Sequence, residues 1–227
     1  MTAIEAALDP REKKSYSFHA TFFRKFLVGS ARILFGFLMH LEVQGLEHFP
    51  MAGPVIVAAN HVSNYDPFPI QFSLPRPIFY MGKASLFKIP VMDIALRNLG
   101  AFPVYRGEKD AWALHHARRI LDEGQVLGMF PEGTRSKGRG LGVAKTGVAR
   151  LALETACTIS PMIILGTDQF FRRFPRRTIV IVRILAPLQP IHNETPLALT
   201  DRLMFELAAS LPVNMRGVYS ETPSGFD

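Results

Sequence analysis

The chain has 227 residues and one cysteine, which allows a single domain with a substantial core and excludes a disulfide-linked secreted scaffold. Hydrophobic residues make up 48% and charged residues 20%, which excludes disordered, collagenous and coiled-coil proteins. The net charge of +7 favours an anionic partner such as phosphate, nucleic acid or an acidic membrane.

The N-terminal region combines an acidic start with an aromatic, basic stretch. The first 14 residues hold three acidic side chains and a proline, unlike a secretory signal. Residues 26–41 carry only one formal charge, Arg32. A helix of this length would measure roughly 24 Å, less than the hydrocarbon core of a bilayer. Together with Arg24 and Lys25, the stretch predicts an interfacial helix attracted to anionic lipid, with a core-packing helix as the alternative.

Short apolar runs recur after this stretch and predict buried strands of a parallel sheet. They lie at residues 54–59, 77–81, 101–105, 126–130, 162–165 and 178–184. Apolar residues recur every three or four positions in residues 110–123 and 141–156, which predicts helices. Strands that alternate with helices indicate an α/β fold, with a layered, mostly parallel sheet flanked by helices.

This pattern divides the chain into three predicted parts. Residues 1–42 would form a membrane-associating helical segment, residues 43–211 an α/β domain, and residues 212–227 a flexible tail rich in Pro, Gly and Ser.

A histidine and an aspartate follow the first predicted buried strand. His61 comes directly after that strand, and Asp66 follows five residues later. Ligand crevices of open α/β sheets lie at such carboxyl ends of strands. The Asp could fix the imidazole tautomer and stabilise the imidazolium, so that His61 acts as a general base on a substrate hydroxyl. The same spacing also suits a buried, hydrogen-bonded structural pair.

A second polar loop, FPEGTRS at residues 130–136, follows another predicted buried strand. Gly133 allows close approach of a ligand to the backbone, and Arg135 offers a planar set of donors. Thr134 adds a hydroxyl. This composition favours binding of a phosphate or a polyol, although an ordinary turn with a solvated ion pair would look similar. A further strand ends in Arg106, which could add a cation to the same crevice.

Together these motifs resemble the glycerolipid acyltransferase family, which includes the 1-acylglycerol-3-phosphate acyltransferases. The family motif NHxSxxD is matched at Asn60, His61, Ser63 and Asp66, and the motif FPEGTRS is matched without a gap at residues 130–136. The resemblance extends over about residues 43–187. Two motifs about seventy residues apart are more specific than either one alone.

The resemblance implies transfer of an acyl group from acyl-CoA or acyl-carrier protein to the sn-2 hydroxyl of lysophosphatidic acid, giving phosphatidic acid in phospholipid biosynthesis. It implies that His61 is the catalytic base and Asp66 its orienting partner. It also implies acceptor-binding roles for Arg106, Glu132, Gly133, Thr134 and Arg135, and weaker matches at Lys83, Lys145 and Pro161. No metal or other cofactor is expected.

The predicted partners include a membrane surface, because the lipid acceptor resides in a bilayer while the acyl donor is soluble. We expect peripheral or monotopic attachment at the cytoplasmic face of the cell membrane. A basic, aromatic cluster at residues 170–177 could contact lipid headgroups, the acyl donor or single-stranded nucleic acid, or be a solvated loop. No nucleic-acid partner is predicted, because no nucleic-acid motif accompanies the charge. Two alternative functions are acyl transfer to another lysolipid and non-catalytic binding of lipid at a membrane surface.

Overall fold

The computed structural model describes residues 9–19, 21–105, 110–136, 138–172 and 174–221. One sheet holds the strands β1 (Met39–Gln44), β2 (Val55–Ala59), β3 (Ile78–Lys83), β4 (Ala101–Val104), β5 (Val126–Met129), β6 (Thr158–Leu165) and β7 (Thr178–Ile184). The α-helices are α1 (Phe22–Leu38), α2 (Pro67–Ser73), α3 (Pro90–Asn98), α4 (Ala111–Asp122), α5 (Gly147–Thr155) and α6 (Pro196–Ser210).

The sheet has the strand order β1-β7-β6-β2-β5-β3-β4. Its described strand pairs are parallel except β6 with β7. The predicted mostly parallel sheet with flanking helices is therefore confirmed. Its central strand β2 is buried along its whole length, as expected for a strand covered on both faces.

Two apolar cores lie on opposite faces of the sheet. Alternate side chains of β2 separate them, since Ile56 belongs to one core while Val55 and Val57 belong to the other. The first core contains residues of α4, α5 and α6, and the second contains Phe35 of α1 together with residues of α2. Helix α1 therefore lies on the face of the sheet opposite α6.

The N-terminal region differs from its prediction in two respects. The helix ends at Leu38 rather than Leu41, and the chain continues as strand β1, which pairs with β7. Arg24 is not exposed on the outer face of α1 as expected, because it lies on the side of the helix that packs against the domain. Its guanidinium donates to the carbonyl of Ile78 at 2.5 Å. Among the described residues, none of the helices combines the length and apolar character needed to cross a bilayer.

Two predicted segments near the C-terminal half also differ. Helix α5 begins at Gly147, because backbone N–H groups in residues 141–146 are used by neighbouring loops instead of a helical ladder. The described part of the predicted flexible tail, residues 212–221, packs against the domain. There the N–H of Val218 donates to the carbonyl of Leu141, and the N–H of Ala144 donates to the Tyr219 hydroxyl.

Candidate active site

Three neighbouring parallel strands bring the candidate site together. Strand β2 lies between β5 and β6, and each of the three is followed by a polar residue of the site. His61 follows β2, Glu132 follows β5, and Thr167 follows β6. Because the carboxyl ends of parallel strands share one edge of the sheet, these side chains meet there despite their separation in sequence.

The structure joins His61 and Asp66 as the sequence spacing predicts. The Nδ1 atom of His61 lies 2.7 Å from Oδ2 of Asp66. The same oxygen accepts hydrogen bonds from the backbone N–H groups of Val62 at 2.8 Å and Ser63 at 2.9 Å. The other carboxylate oxygen accepts a hydrogen bond from the Thr167 hydroxyl. Asp66 is fully buried, and these donors hold it in one orientation.

This arrangement selects one tautomer of the His61 imidazole. A carboxylate can only accept, so Nδ1 carries the proton and Nε2 keeps its lone pair. The ring stacks on Phe130 with centroids 4.0 Å apart and an interplanar angle of 15°. His61 also lines a cavity at the carboxyl edge of the sheet. The imidazole is therefore positioned to accept a proton from a group bound there.

Glu132 connects two loops around His61. Its Oε1 accepts from the backbone N–H of His61 at 3.0 Å, and its Oε2 accepts from the backbone N–H of Gly142 at 2.9 Å. Burial raises the pKa of the Glu132 carboxyl, while the two N–H groups act in the opposite direction. The carboxylate thus organises the loops, and a direct contact between Glu132 and an acceptor stays a prediction.

The cavity beside His61 has a volume of ≈ 220 Å³. Its walls are mainly apolar and include Met81, Val104, Met129 and Val148. Polar character comes from His61 and from Lys145, which also lines it. This combination can hold an apolar chain next to a reactive polar group.

Gly128, which lines the cavity, allows close packing between β3 and β5. A Cβ atom on Gly128 would lie 2.2 Å from the ring of Tyr80, so a side chain at this position would displace the tyrosine. The Tyr80 ring is stacked over Phe130, whose own ring supports His61. Gly128 therefore allows the aromatic stack that supports the imidazole.

The predicted acceptor-binding residues occupy different positions. Gly133 lines the cavity with a φ of +65°, and a Cβ atom there would lie 3.3 Å from the Lys145 side chain. Thr134 and Arg135, the next two residues of the chain, are exposed. Arg106 lies outside the described residues. The acceptor-binding roles of all four stay predictions.

Sequence reasoning missed Thr167 as part of the site. The residue follows β6 and Gly166, and no motif marks it. Pro161, one of the weaker matches to the family, lies within β6 and pairs with Ala58 of β2. The parallel pairing of β6 with β2 is the signal that identifies Thr167, and it becomes visible only when the sheet order is known.

Comparison with known proteins supports the same region of the chain. A model of the acyltransferase family matches residues 40–165, more than half of the chain and including His61, Asp66 and Glu132. A 1-acyl-sn-glycerol-3-phosphate acyltransferase of Borreliella burgdorferi is 34% identical over 131 residues, which are 57% of this chain and 52% of that protein. One of Chlamydomonas reinhardtii is 29% identical over 191 residues, which are 80% of this chain and 56% of that protein.

A solved structure agrees with the fold. The crystal structure of the 1-acyl-sn-glycerophosphate (LPA) acyltransferase PlsC from Thermotoga maritima has a TM-score of 0.69 and 26% identity to this chain. The comparison covers 82% of this chain and 77% of that one. The chain spans only about half the length of the two curated relatives given above.

Proposed function

Because this chain belongs to the acyltransferase family, we propose that it transfers a fatty acyl group from an acyl thioester to the sn-2 hydroxyl of 1-acylglycerol-3-phosphate. The product is phosphatidic acid. The observation that carries the proposal is the His61–Asp66 pair, joined at 2.7 Å and opening onto a mainly apolar cavity. The names of the curated relatives support this choice of acceptor.

The proposed reaction needs one base and no covalent enzyme intermediate. His61 Nε2 takes the proton of the acceptor hydroxyl as that oxygen attacks the thioester carbonyl. The buried Asp66 carboxylate stabilises the imidazolium that results. When the tetrahedral intermediate collapses, the carbon–sulfur bond breaks and the imidazolium gives its proton to the leaving thiolate. The enzyme then returns to its starting state.

The two substrates approach His61 from different surroundings. The apolar cavity walls suit the acyl chain of the donor, because contact with them removes that chain from water. The acceptor phosphate is assigned to the polar side of the cavity, where the Lys145 side chain lies beside Gly133. Arg135, two residues after Gly133 in the chain, is exposed. Arg106 is a further proposed phosphate ligand, and Tyr105, the residue before it, lines the cavity. Cations and hydroxyls at this side match a phosphate monoester.

We assign the outer face of α1 to the membrane surface. It exposes a row of apolar side chains that would otherwise face water, namely Phe22, Phe23, Phe26, Ile33, Leu34 and Phe37. Lys25 and Arg32 are exposed on the same helix and can pair with anionic headgroups. Helix α3 contacts α1 and adds the exposed residues Val91 and Ile94. This arrangement supports peripheral attachment through one amphipathic surface.

The basic cluster at residues 170–177 lies close to the candidate site. Phe170 and Phe171 each contact the ring of Tyr65 with centroids 5.7 Å apart, and Tyr65 directly precedes Asp66. Arg172 and Arg176 are exposed beside them. We assign this cluster to anionic headgroups at the cytoplasmic leaflet, whose surface charge complements the net charge of +7.

An acceptor panel tests this function. Purified protein in mixed micelles is supplied with one of three acceptors: lysophosphatidic acid, a lysophospholipid whose phosphate is a diester, or lyso-ornithine lipid. Each acceptor is tested with acyl-CoA and with acylated acyl-carrier protein as the donor. Phosphatidic acid should form fastest, because a phosphate monoester offers the most charge to Lys145 and Arg135. Faster acylation of another lysolipid would contradict the assigned acceptor. If no acylated lipid forms from any acceptor, the proposed acyltransferase activity is contradicted.

A further inference from the structure

A second polar cavity lies away from His61, between the start of α1, the end of α3 and the segment that precedes α1. It has a volume of ≈ 290 Å³ and is lined by Ser15, Ser17, Thr21, Arg24 and Arg97, with His19 and Asn98 completing it. All these residues are polar, and none is acidic. We call it the arginine cavity.

Arg24 is the most unusual residue of the arginine cavity. Only 3% of it is exposed, and its neighbours are the carbonyl of Ile78, the amide oxygen of Gln71 and the ring of Phe79. No described carboxylate pairs with it, and its Nη1 atom has no hydrogen-bond partner in the described part of the protein. Burial lowers the pKa of Arg24 to about 10, which leaves it charged at neutral pH. A buried cation without a counter-ion is destabilising, and an anion beside it would relieve that cost.

Arg97 provides a second guanidinium with an N–H group that lacks a described hydrogen-bond partner. Its Nη1 donates to the carbonyl of Ser15 at 3.1 Å and its Nη2 to Asp93 at 3.2 Å, but its buried Nε has no partner among the described residues. The Asp93 carboxylate is shared with Lys14, whose Nζ lies 2.8 Å away. One carboxylate thus serves two cations, and with Arg24 the surroundings keep an excess of positive charge.

The N-terminus of α1 borders the same cavity. Thr21, which lines the cavity, caps the helix by accepting from the N–H of Arg24 through its side chain and from that of Lys25 through its carbonyl. The N–H groups of Phe22 and Phe23 precede these and have no acceptor within the helix. The first turn of a helix attracts anions, and Arg24 is a buried, unpartnered donor beside it.

We propose that the arginine cavity binds a phosphate group, either free phosphate or the phosphate of an anionic lipid headgroup. Guanidinium forks, hydroxyls and helix N–H groups are the donors that phosphate oxygens prefer. Phe22 is 87% exposed and Phe26 is 59% exposed on the adjoining surface of α1, where the acyl chains of such a lipid would lie. Phosphate binding here does not require acyl transfer at His61, so the two proposals can fail separately.

The test follows the side-chain Nε–H signals of Arg24 and Arg97 by ¹H–¹⁵N NMR of the full chain in bicelles. The spectra of Arg24→Lys and Arg97→Lys identify the two signals. One titration uses inorganic phosphate against chloride at equal ionic strength, and another adds phosphatidylglycerol to phosphatidylcholine bicelles. Saturable shifts with inorganic phosphate support a site for the free ion, and shifts with phosphatidylglycerol alone identify the lipid as the source.

Substitutions at Ser15 provide the matched control. Ser15 is exposed and its side chain makes no described hydrogen bond, so replacement should not unfold the protein. Ser15→Glu places a carboxylate in the arginine cavity and should weaken phosphate binding roughly tenfold or more, whereas Ser15→Gln adds the same bulk without charge and should retain it. The proposal is overturned if neither probe moves the two signals, or if the two Ser15 variants respond equally.

Discussion

The hydroxyl of Thr167 donates a hydrogen bond to Asp66 across 101 residues of sequence. This contact ties the loop after β6 to the loop after β2 and satisfies the carboxylate oxygen that does not face His61. Because Asp66 is fully buried, any oxygen left without a donor would carry the cost of a desolvated charge. Thr167 therefore positions the residue that in turn positions the proposed base.

Thr167→Val tests this positioning role. The isosteric change removes the hydroxyl donor, so we expect a loss of about 1–3 kcal/mol in unfolding free energy. We also expect a fall in kcat with little change in KM, because the substrate contacts stay in place. Thr167→Ser restores the hydroxyl and should recover kcat. Equal rates for the valine variant and the wild type would show that Asp66 does not need this donor.

Glu132→Gln tests the bridge between the two loops. The amide keeps one acceptor oxygen but turns an NH₂ group towards a backbone N–H of either His61 or Gly142. We expect the unfolding free energy to fall by about 1–3 kcal/mol and the rate of acyl transfer to fall as well. The exposed Glu206→Gln is the matched control and should change neither. Urea unfolding measures the stability, and the bridge is contradicted if both variants match the wild type.

His116 gives a prediction about pH. Burial among Tyr16, Phe102 and Trp112, with Arg119 and His115 nearby, lowers the pKa of His116 to about 4 from its ordinary 6.5. The unfolded chain therefore binds this proton more tightly than the folded one. The stability linked to neutral His116 is present above pH 6.5 and is lost as the pH falls towards 4, by up to about 3 kcal/mol.

The measurement compares wild type with His116→Phe, which keeps an aromatic ring in the stack with Trp112. The urea midpoint should fall more between pH 7 and pH 4.5 in the wild type than in the variant, because the phenylalanine cannot take up a proton. Contributions from other groups are common to both proteins and cancel in the comparison. Identical pH dependence for the two proteins would refute the buried neutral state of His116.

Ile33→Ser tests the assignment of α1 to the membrane surface. Ile33 is 69% exposed, so the change should not affect folding, yet it removes one apolar side chain from the proposed contact. Loss of about 1.5 kcal/mol corresponds to roughly tenfold weaker binding to anionic vesicles. Leu197→Ser is the matched control, because Leu197 is 62% exposed on α6, beyond the opposite face of the sheet. A vesicle flotation assay that shows equal losses would contradict the assignment.

Much of the fold was predictable because the buried strands are short apolar runs with turn signals on either side. Strand β1 was not, since its sequence MHLEVQ continues the aromatic stretch of α1 and carries an exposed polar side at the edge of the sheet. The first residues of the helix predicted at residues 141–156 form a loop instead, because the N–H of Gly142 donates to Glu132 rather than to a helical carbonyl. Such long-range bonds leave no periodic signal in the sequence.

The candidate site was likewise predictable from the sequence only in part. The spacing of His61 and Asp66 predicted their contact, because five residues suffice to return the chain to the imidazole. The bridging contacts of Glu132 and the hydroxyl of Thr167 depend on which strands lie beside β2. Strand order is set by packing across the whole domain, so it was not available from local patterns.

The most direct test of the central claim measures phosphatidic acid formed from lysophosphatidic acid and an acyl thioester by wild type, His61→Ala and Asp66→Asn. Neither change removes the backbone N–H of His61 that Glu132 binds, and urea midpoints check that the variants are folded. We predict product from the wild type and a loss of at least roughly a hundredfold in both variants. Acceptor-dependent product at the wild-type rate from His61→Ala would contradict the account.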